Sequence, residues 1–177
     1  SFPTRRSSDL VDSITRTSFI QITAYQTPGA GAVFSSIADN SMGIRRVRLS
    51  GIDSTFNDAT GPMYQYINTS TQLATLYRGG KYPFILDRPK DGSPLDYKVW
   101  VDLNFNANFE NSELILNRSN NGDAQLVDSI LISATQNYGT TRMRVGIDLA
   151  NSSQFNSVYS VVGIFKDFNV VINKDNV

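Results

Sequence analysis

The chain reads as an all-β protein: an antiparallel β-sandwich, jelly-roll or immunoglobulin-like, with few or no helices. Three observations predict this class. Apolar and polar residues alternate with a period of two in several separate segments, which places the apolar side chains on one face of a strand. Clusters of Asn, Gly, Asp and Pro punctuate those segments as turns. No convincing helical periodicity runs through ten or more residues, so roughly eight to ten strands are expected. Their uneven lengths and spacings favour a sandwich over a closed barrel.

The elements follow in order. Residues 17–25 (TSFIQITAY) are β-branched and aromatic and predict a strand. Thr27-Pro-Gly-Ala-Gly31 breaks it. Residues 44–52 predict a strand with Val47 and Leu49 inward and Arg46 and Arg48 on a wet outer face. Residues 53–63 are polar and predict a loop. Short strands are expected over 64–76, interrupted at Asn68-Thr-Ser70. A turn at Arg78-Gly-Gly80 leads to an apolar strand over 82–86, and two prolines and a glycine make 87–94 a loop. In residues 97–103, Tyr97, Val99, Val101 and Leu103 face one way and Lys98, Trp100 and Asp102 the other. Asn120-Asn-Gly122 precedes a strand over 126–133, and Asn137-Tyr-Gly139 is a second turn. Residues 141–149 put Met143, Val145 and Ile147 inward and Arg142 and Arg144 outward. Residues 165–173 close the set with Phe168, Val170 and Ile172 inward.

Composition bounds the chemistry. With 177 residues the chain can bury a core without covalent staples. There is no cysteine, which removes thiolate ligands, cysteine nucleophiles and disulfides. Histidine is absent too, and with it the usual general base at neutral pH and the commonest metal ligand. Hydrolase, redox and metallo-hydrolase chemistry is therefore disfavoured. Formal net charge is zero, with 16 basic and 16 acidic side chains interspersed. No basic stripe points to nucleic acid. No run of eighteen apolar residues offers a membrane span.

The segment from Asp102 to Glu113 (DLNFNANFENSE) carries the one chemical signal. Oxygen-bearing residues fall at loop positions one, three, five, seven, nine and twelve: Asp102, Asn104, Asn106, Asn108, Glu110 and Glu113. That is the ligand spacing of an EF-hand-type calcium loop, and Ca2+ is the ion such a hard oxygen set would take. Ala107 stands at position six, where such a loop prefers glycine for its sharp turn. The competing reading is an ion-free turn, in which the asparagines tolerate left-handed backbone while Phe105 and Phe109 anchor the loop. Other residues carry similar pairs of readings. Arg142 and Arg144 read as an exposed pair, and Asp167 as a solvated strand residue. Trp100 reads as core, or as a stacking platform for a sugar.

Three segments resemble the GEVED domain of secreted and surface bacterial proteins. The first is Val99-Trp-Val-Asp102 running into Asn104, Asn106, Asn108, Phe109 and the Ser112-Glu113 pair. The second is Gly139-Thr-Thr-Arg-Met-Arg-Val145, close to that family's Gly-x-Thr-Arg-Met-Arg-Val strand. The third, Gly163-Ile-Phe-Lys-Asp-Phe168, stands in the place of the Gly-Glu-Val-Glu-Asp-Tyr signature. Ile164 and Lys166 replace its two glutamates, and Phe168 replaces its tyrosine; for the acid that remains, Asp167, the resemblance implies an approach to the Asp102 turn or the Arg strand. The resemblance covers roughly residues 42–173 and implies a β-sandwich accessory module, without established catalytic activity, in large exported proteins.

The expected organisation follows. Residues 1–10 resemble a translated sequencing adapter and are set aside as non-native. Residues 11–41 are an N-terminal extension or the end of a preceding module, and 42–174 are the GEVED-like sandwich. The expected role is a non-catalytic accessory or adhesive module, secreted or at the cell surface. Its partners would be neighbouring domains of a larger exported protein and a surface glycan or protein. A carbohydrate-binding module is the alternative, with Trp100, Tyr64 or Tyr66 as platform; a fragment of a secreted hydrolase is the next.

Overall fold

A computed structural model describes residues 25, 29–30, 43–56, 66–89, 92–160 and 163–174. The strand expected over 17–25 lies outside them except for Tyr25. So does Tyr64, and the loop expected over 53–63 is described only as far as residue 56.

The described strands are β1 (Gly29–Ala30), β2 (Arg46–Leu49), β3 (Ile52–Thr55), β4 (Tyr66–Tyr77), β5 (Lys81–Asp87), β6 (Leu95–Val101), β7 (Leu114–Asn121), β8 (Gln125–Leu131), β9 (Gly139–Leu149), β10 (Tyr159–Ser160) and β11 (Ile164–Asn173). A single turn of 3-10 helix, Asn111–Glu113, is the helical element among them. One sheet has the order β3-β2-β5-β8; the other has the order β4-β11-β9-β6-β7. β1 and β10 form a separate parallel pair, so Gly29 and Ala30, expected to break a strand, belong to one.

The two sheets face each other across one apolar core. Alternation decides which side chains enter it. Val47 and Leu49 from β2, Phe84 and Leu86 from β5, and Ile130 from β8 meet Val99 and Val101, Met143 and Val145, and Phe168 and Val170 from the five-stranded sheet. On β2, β6, β9 and β11 these are the inward positions that alternation predicts. Each such side chain, buried in full, contributes about 1.5–3 kcal/mol, enough in sum to specify the register, because a one-residue slip would turn the whole apolar set outward.

Four local features depart from expectation. The strand expected over 44–52 ends early: Ser50 and Gly51 turn the chain back, and β3 pairs antiparallel with β2. Gly51 takes φ +98°, and a Cβ there would lie 2.8 Å from the Leu73 carbonyl oxygen, so only glycine fits this turn. Second, the break expected at Asn68-Thr-Ser70 is a bulge within one 12-residue strand: opposite Phe168 and Asn169, the partners jump from Thr69 to Leu73. Third, β4 runs parallel to β11 while its neighbours are antiparallel, making this sheet mixed. Fourth, β7 was not expected as a strand at all. Only Leu114, Ile115 and Leu116 are apolar in it, and it is an edge strand paired on one side to β6. An edge strand tolerates polar residues that a central strand would bury.

Candidate functional site

The outer face of the five-stranded sheet is covered, and this is where the sequence signals converge. β9 and β11 pair so that Arg144 lies directly opposite Asp167. Both side chains point away from the main core, and both are wholly enclosed. Arg144 donates from Nε to Asp167 Oδ1 and from Nη2 to Oδ2, each at 2.7 Å, a bidentate fork. Its Nη1 donates to the Ser157 carbonyl at 2.7 Å. Tyr66, on the neighbouring β4, donates its hydroxyl to Asp167 Oδ2 at 3.0 Å. The guanidinium also lies over the Phe109 ring, 4.6 Å from its centroid, with Tyr66 and Phe165 at 5.6 and 6.0 Å.

Two loops form the cover. Phe109 comes from the loop after β6, and Phe155 and Ser157 from the loop after β9. Phe109 and Phe155 make a second apolar cluster with Trp100 and Phe165, against which Tyr25, Tyr66 and Leu114 pack. Trp100 stands edge-on to Phe155, with centroids 5.9 Å apart. Lys98 donates to the Phe155 carbonyl at 2.6 Å and sits over its ring, while Ser157 Oγ donates to the Phe109 carbonyl. Gly146 on β9 permits this packing: a Cβ there would meet Phe165 and Phe155 ring carbons at 3.0 and 3.1 Å.

Arg144 and Asp167 are therefore not the exposed residues that alternation implied. The outer face of β9 and β11 is roofed, so a residue facing away from the main core is still removed from water. Trp100 is 1% exposed and cannot serve as a stacking platform. Of the departures from the GEVED signature, Ile164 joins the main core. Lys166 is also enclosed, with its ammonium 4.8 Å from the Phe56 ring centroid.

The Asp102–Glu113 loop is closed by its own hydrogen bonds. Asp102, buried, accepts from Asn106 N through Oδ1 at 3.1 Å and from Ala107 N through Oδ2 at 3.0 Å; the Tyr25 hydroxyl also donates to Oδ2. Glu113, also buried, accepts from Leu103 N and Asn104 N through Oε1 at 2.8 and 3.0 Å, and from Glu110 N through Oε2 at 3.1 Å. Asn104 Oδ1 accepts from Asn106 N and Asn106 Oδ1 from Asn108 N, two successive Asx turns. Phe105 and Ala107 take φ +63° and +64°, the left-handed backbone that glycine would adopt without strain. Asn104, Asn106 and Glu110 come together at the surface, but through the amide nitrogens, which donate to Glu110 Oε2 and Oε1 at 2.9 and 2.7 Å. Asn108 lies apart from that group and turns its amide toward the Asn106 carbonyl. Every carboxylate oxygen of Asp102 and Glu113 thus already accepts an N–H or O–H. Among the described residues no three carboxylates converge on a common point.

Burial leaves its mark on the tyrosines. The phenols of Tyr25 and Tyr66 are both pushed above their ordinary range, first by desolvation and then by the carboxylates they bond, Asp102 and Asp167. Tyr25 and Tyr66, with Phe155 and Ser157, are site residues that local sequence patterns did not flag for these roles. They meet the motif residues only through contacts far apart along the chain.

No curated protein matches this chain. Residues 96–171 match the family model of the GEVED domain. That span runs from β6 through β11 and contains both Arg144 and Asp167, the opposed pair contributed by the Thr-Arg-Met-Arg-Val strand and the signature strand, together with the Asp102–Glu113 loop packed over them. Over residues 96–171, then, this chain is similar to the GEVED domain family.

Proposed function

We propose that this β-sandwich is a non-catalytic accessory module of an exported bacterial protein, where it spaces or docks neighbouring domains at the cell surface. One observation supports this most: the motif residues face inward. Arg144, Asp167, Asp102 and Glu113 spend their hydrogen bonds on the protein's own groups, as a structural scaffold requires. A catalytic acid would instead need reach to a substrate atom. The recombinant chain is expected to unfold as one cooperative unit and to turn over no substrate in a panel of glycosides, esters and peptides. Turnover abolished by replacing a single carboxylate would overturn the proposal.

In the same reading, the Asp102–Glu113 loop is an ion-free turn that needs no calcium to close. Melting curves in calcium and in chelator should coincide. A ligand bound only to the native state must raise stability, so a calcium-dependent rise in Tm of the wild-type chain would refute the ion-free reading.

A further inference from the structure

The other sheet holds a feature unrelated to the roofed face. At the end of β2 and β5 lies an open concavity of about 530 Å³, lined by Arg45, Arg46, Arg48 and Arg88 together with Asp87 and Gln125. The whole chain is electrically neutral, so four guanidinium groups around one aspartate form a local excess of positive charge. Neighbouring carboxylates cancel only part of it. Arg46 is held bidentately by Asp53 on the adjacent strand, both donors at 2.6 Å, and both side chains remain well exposed. Arg48 reaches Asp87 with Nη2 alone, at 3.0 Å to each oxygen, and its Nε is buried without an acceptor. Gln125 donates to the same aspartate at 2.6 Å. Arg88 is buried, with Nη1 and Nη2 directed to the Asn121 and Ser93 carbonyls. Arg45 is exposed, and none of the described carboxylates pairs with it.

Like charges gathered where β2 begins and β5 ends repel, and the two nearby aspartates leave that repulsion incompletely offset. A planar guanidinium fork suits the paired oxygens of a carboxylate, sulfate or phosphate. We propose that this concavity binds the oxyanion group of a small acidic ligand, held by the free guanidinium of Arg45 and the half-used fork of Arg48.

The test is an NMR titration of the full chain, following the arginine Nε–Hε resonances with inorganic phosphate, sodium sulfate and glucuronate as probes and glucose as neutral control. At least one anion is expected to move the Arg45 and Arg48 resonances along one saturable curve, with affinity falling as sodium chloride is added. The tightest of the three identifies the ligand chemistry. Arg45→Gln and Arg48→Gln should each weaken binding by about tenfold; Arg118→Gln, which removes a side chain paired with Asp128 instead, should leave it unchanged. Arg45 is exposed, so its variant tests the site without threatening the fold. The proposal fails if no anion gives a saturable shift, if glucose gives the same shift, or if Arg118→Gln weakens binding as much as Arg45→Gln.

Discussion

Replacing Asp167 by Asn removes one negative charge from the roofed layer while keeping its size. Arg144 is fully enclosed, so its cation cannot recover hydration when its partner is neutralised. The asparagine oxygen can accept from one guanidinium nitrogen, but its amide turns N–H toward a second donor where the carboxylate accepted at 2.7 Å. Breaking a buried pair from one side costs about 3–5 kcal/mol. The Phe109, Tyr66 and Phe165 rings still flank the cation, which argues for the lower end, about 3 kcal/mol. That is a large share of a typical domain stability of roughly 5–15 kcal/mol. Trp100, the only tryptophan, packs in the same outer cluster and reports its unfolding directly. In urea, followed by Trp100 fluorescence, the midpoint should fall by about 1–2 M with the slope unchanged. The double variant Arg144→Met/Asp167→Leu should recover most of the loss, because apolar side chains can fill a dry, ring-lined space. A single-variant loss below about 1 kcal/mol, or a double variant as unstable as the two single effects summed, would refute the claim that this pair is a coupled, buried element of the fold.

Three further outcomes are expected. The raised phenols of Tyr25, Tyr66 and Tyr97 mean that the unfolded chain loses these protons first, near pH 10. Their contribution is therefore intact below about pH 10 and is lost as pH rises toward the folded values; a urea midpoint that stays level above that pH would contradict it. Gly146→Ala should destabilise by about 1–3 kcal/mol, since its Cβ must displace the Phe165 and Phe155 rings; a neutral substitution in thermal melting would show that the roof is loosely packed. Ala107→Gly should stabilise by up to about 1 kcal/mol, because residue 107 already takes φ +64°; a drop in Tm would mean that the buried Ala107 methyl outweighs the backbone strain.

Local pattern determined much of this protein. Inward positions such as Val47, Val99, Val145 and Phe168 are legible because strand side chains alternate with period two and the sandwich has one apolar interior. The motif order also pointed to a family resemblance over roughly residues 42–173, and the family match falls on 96–171 of these. What the local pattern does not encode is whether the opposite face meets water. Arg144 beside Met143 and Val145 looks like any exposed strand arginine until residues 105–109 and 150–157 fold back over it. The residues that seal it, Phe109, Phe155 and Ser157, lie 35, 11 and 13 positions away in the chain. β7 escaped notice for the converse reason: an edge strand takes its conformation from its neighbour, not from its own alternation. The Asp102–Glu113 spacing is ambiguous at the level of sequence, because the same oxygens at the same intervals can serve a cation or the loop's own N–H groups. Only the tertiary placement brings these oxygens to the loop's own N–H groups, with Asp102 and Glu113 turned inward onto the backbone and the asparagine amides donating to Glu110.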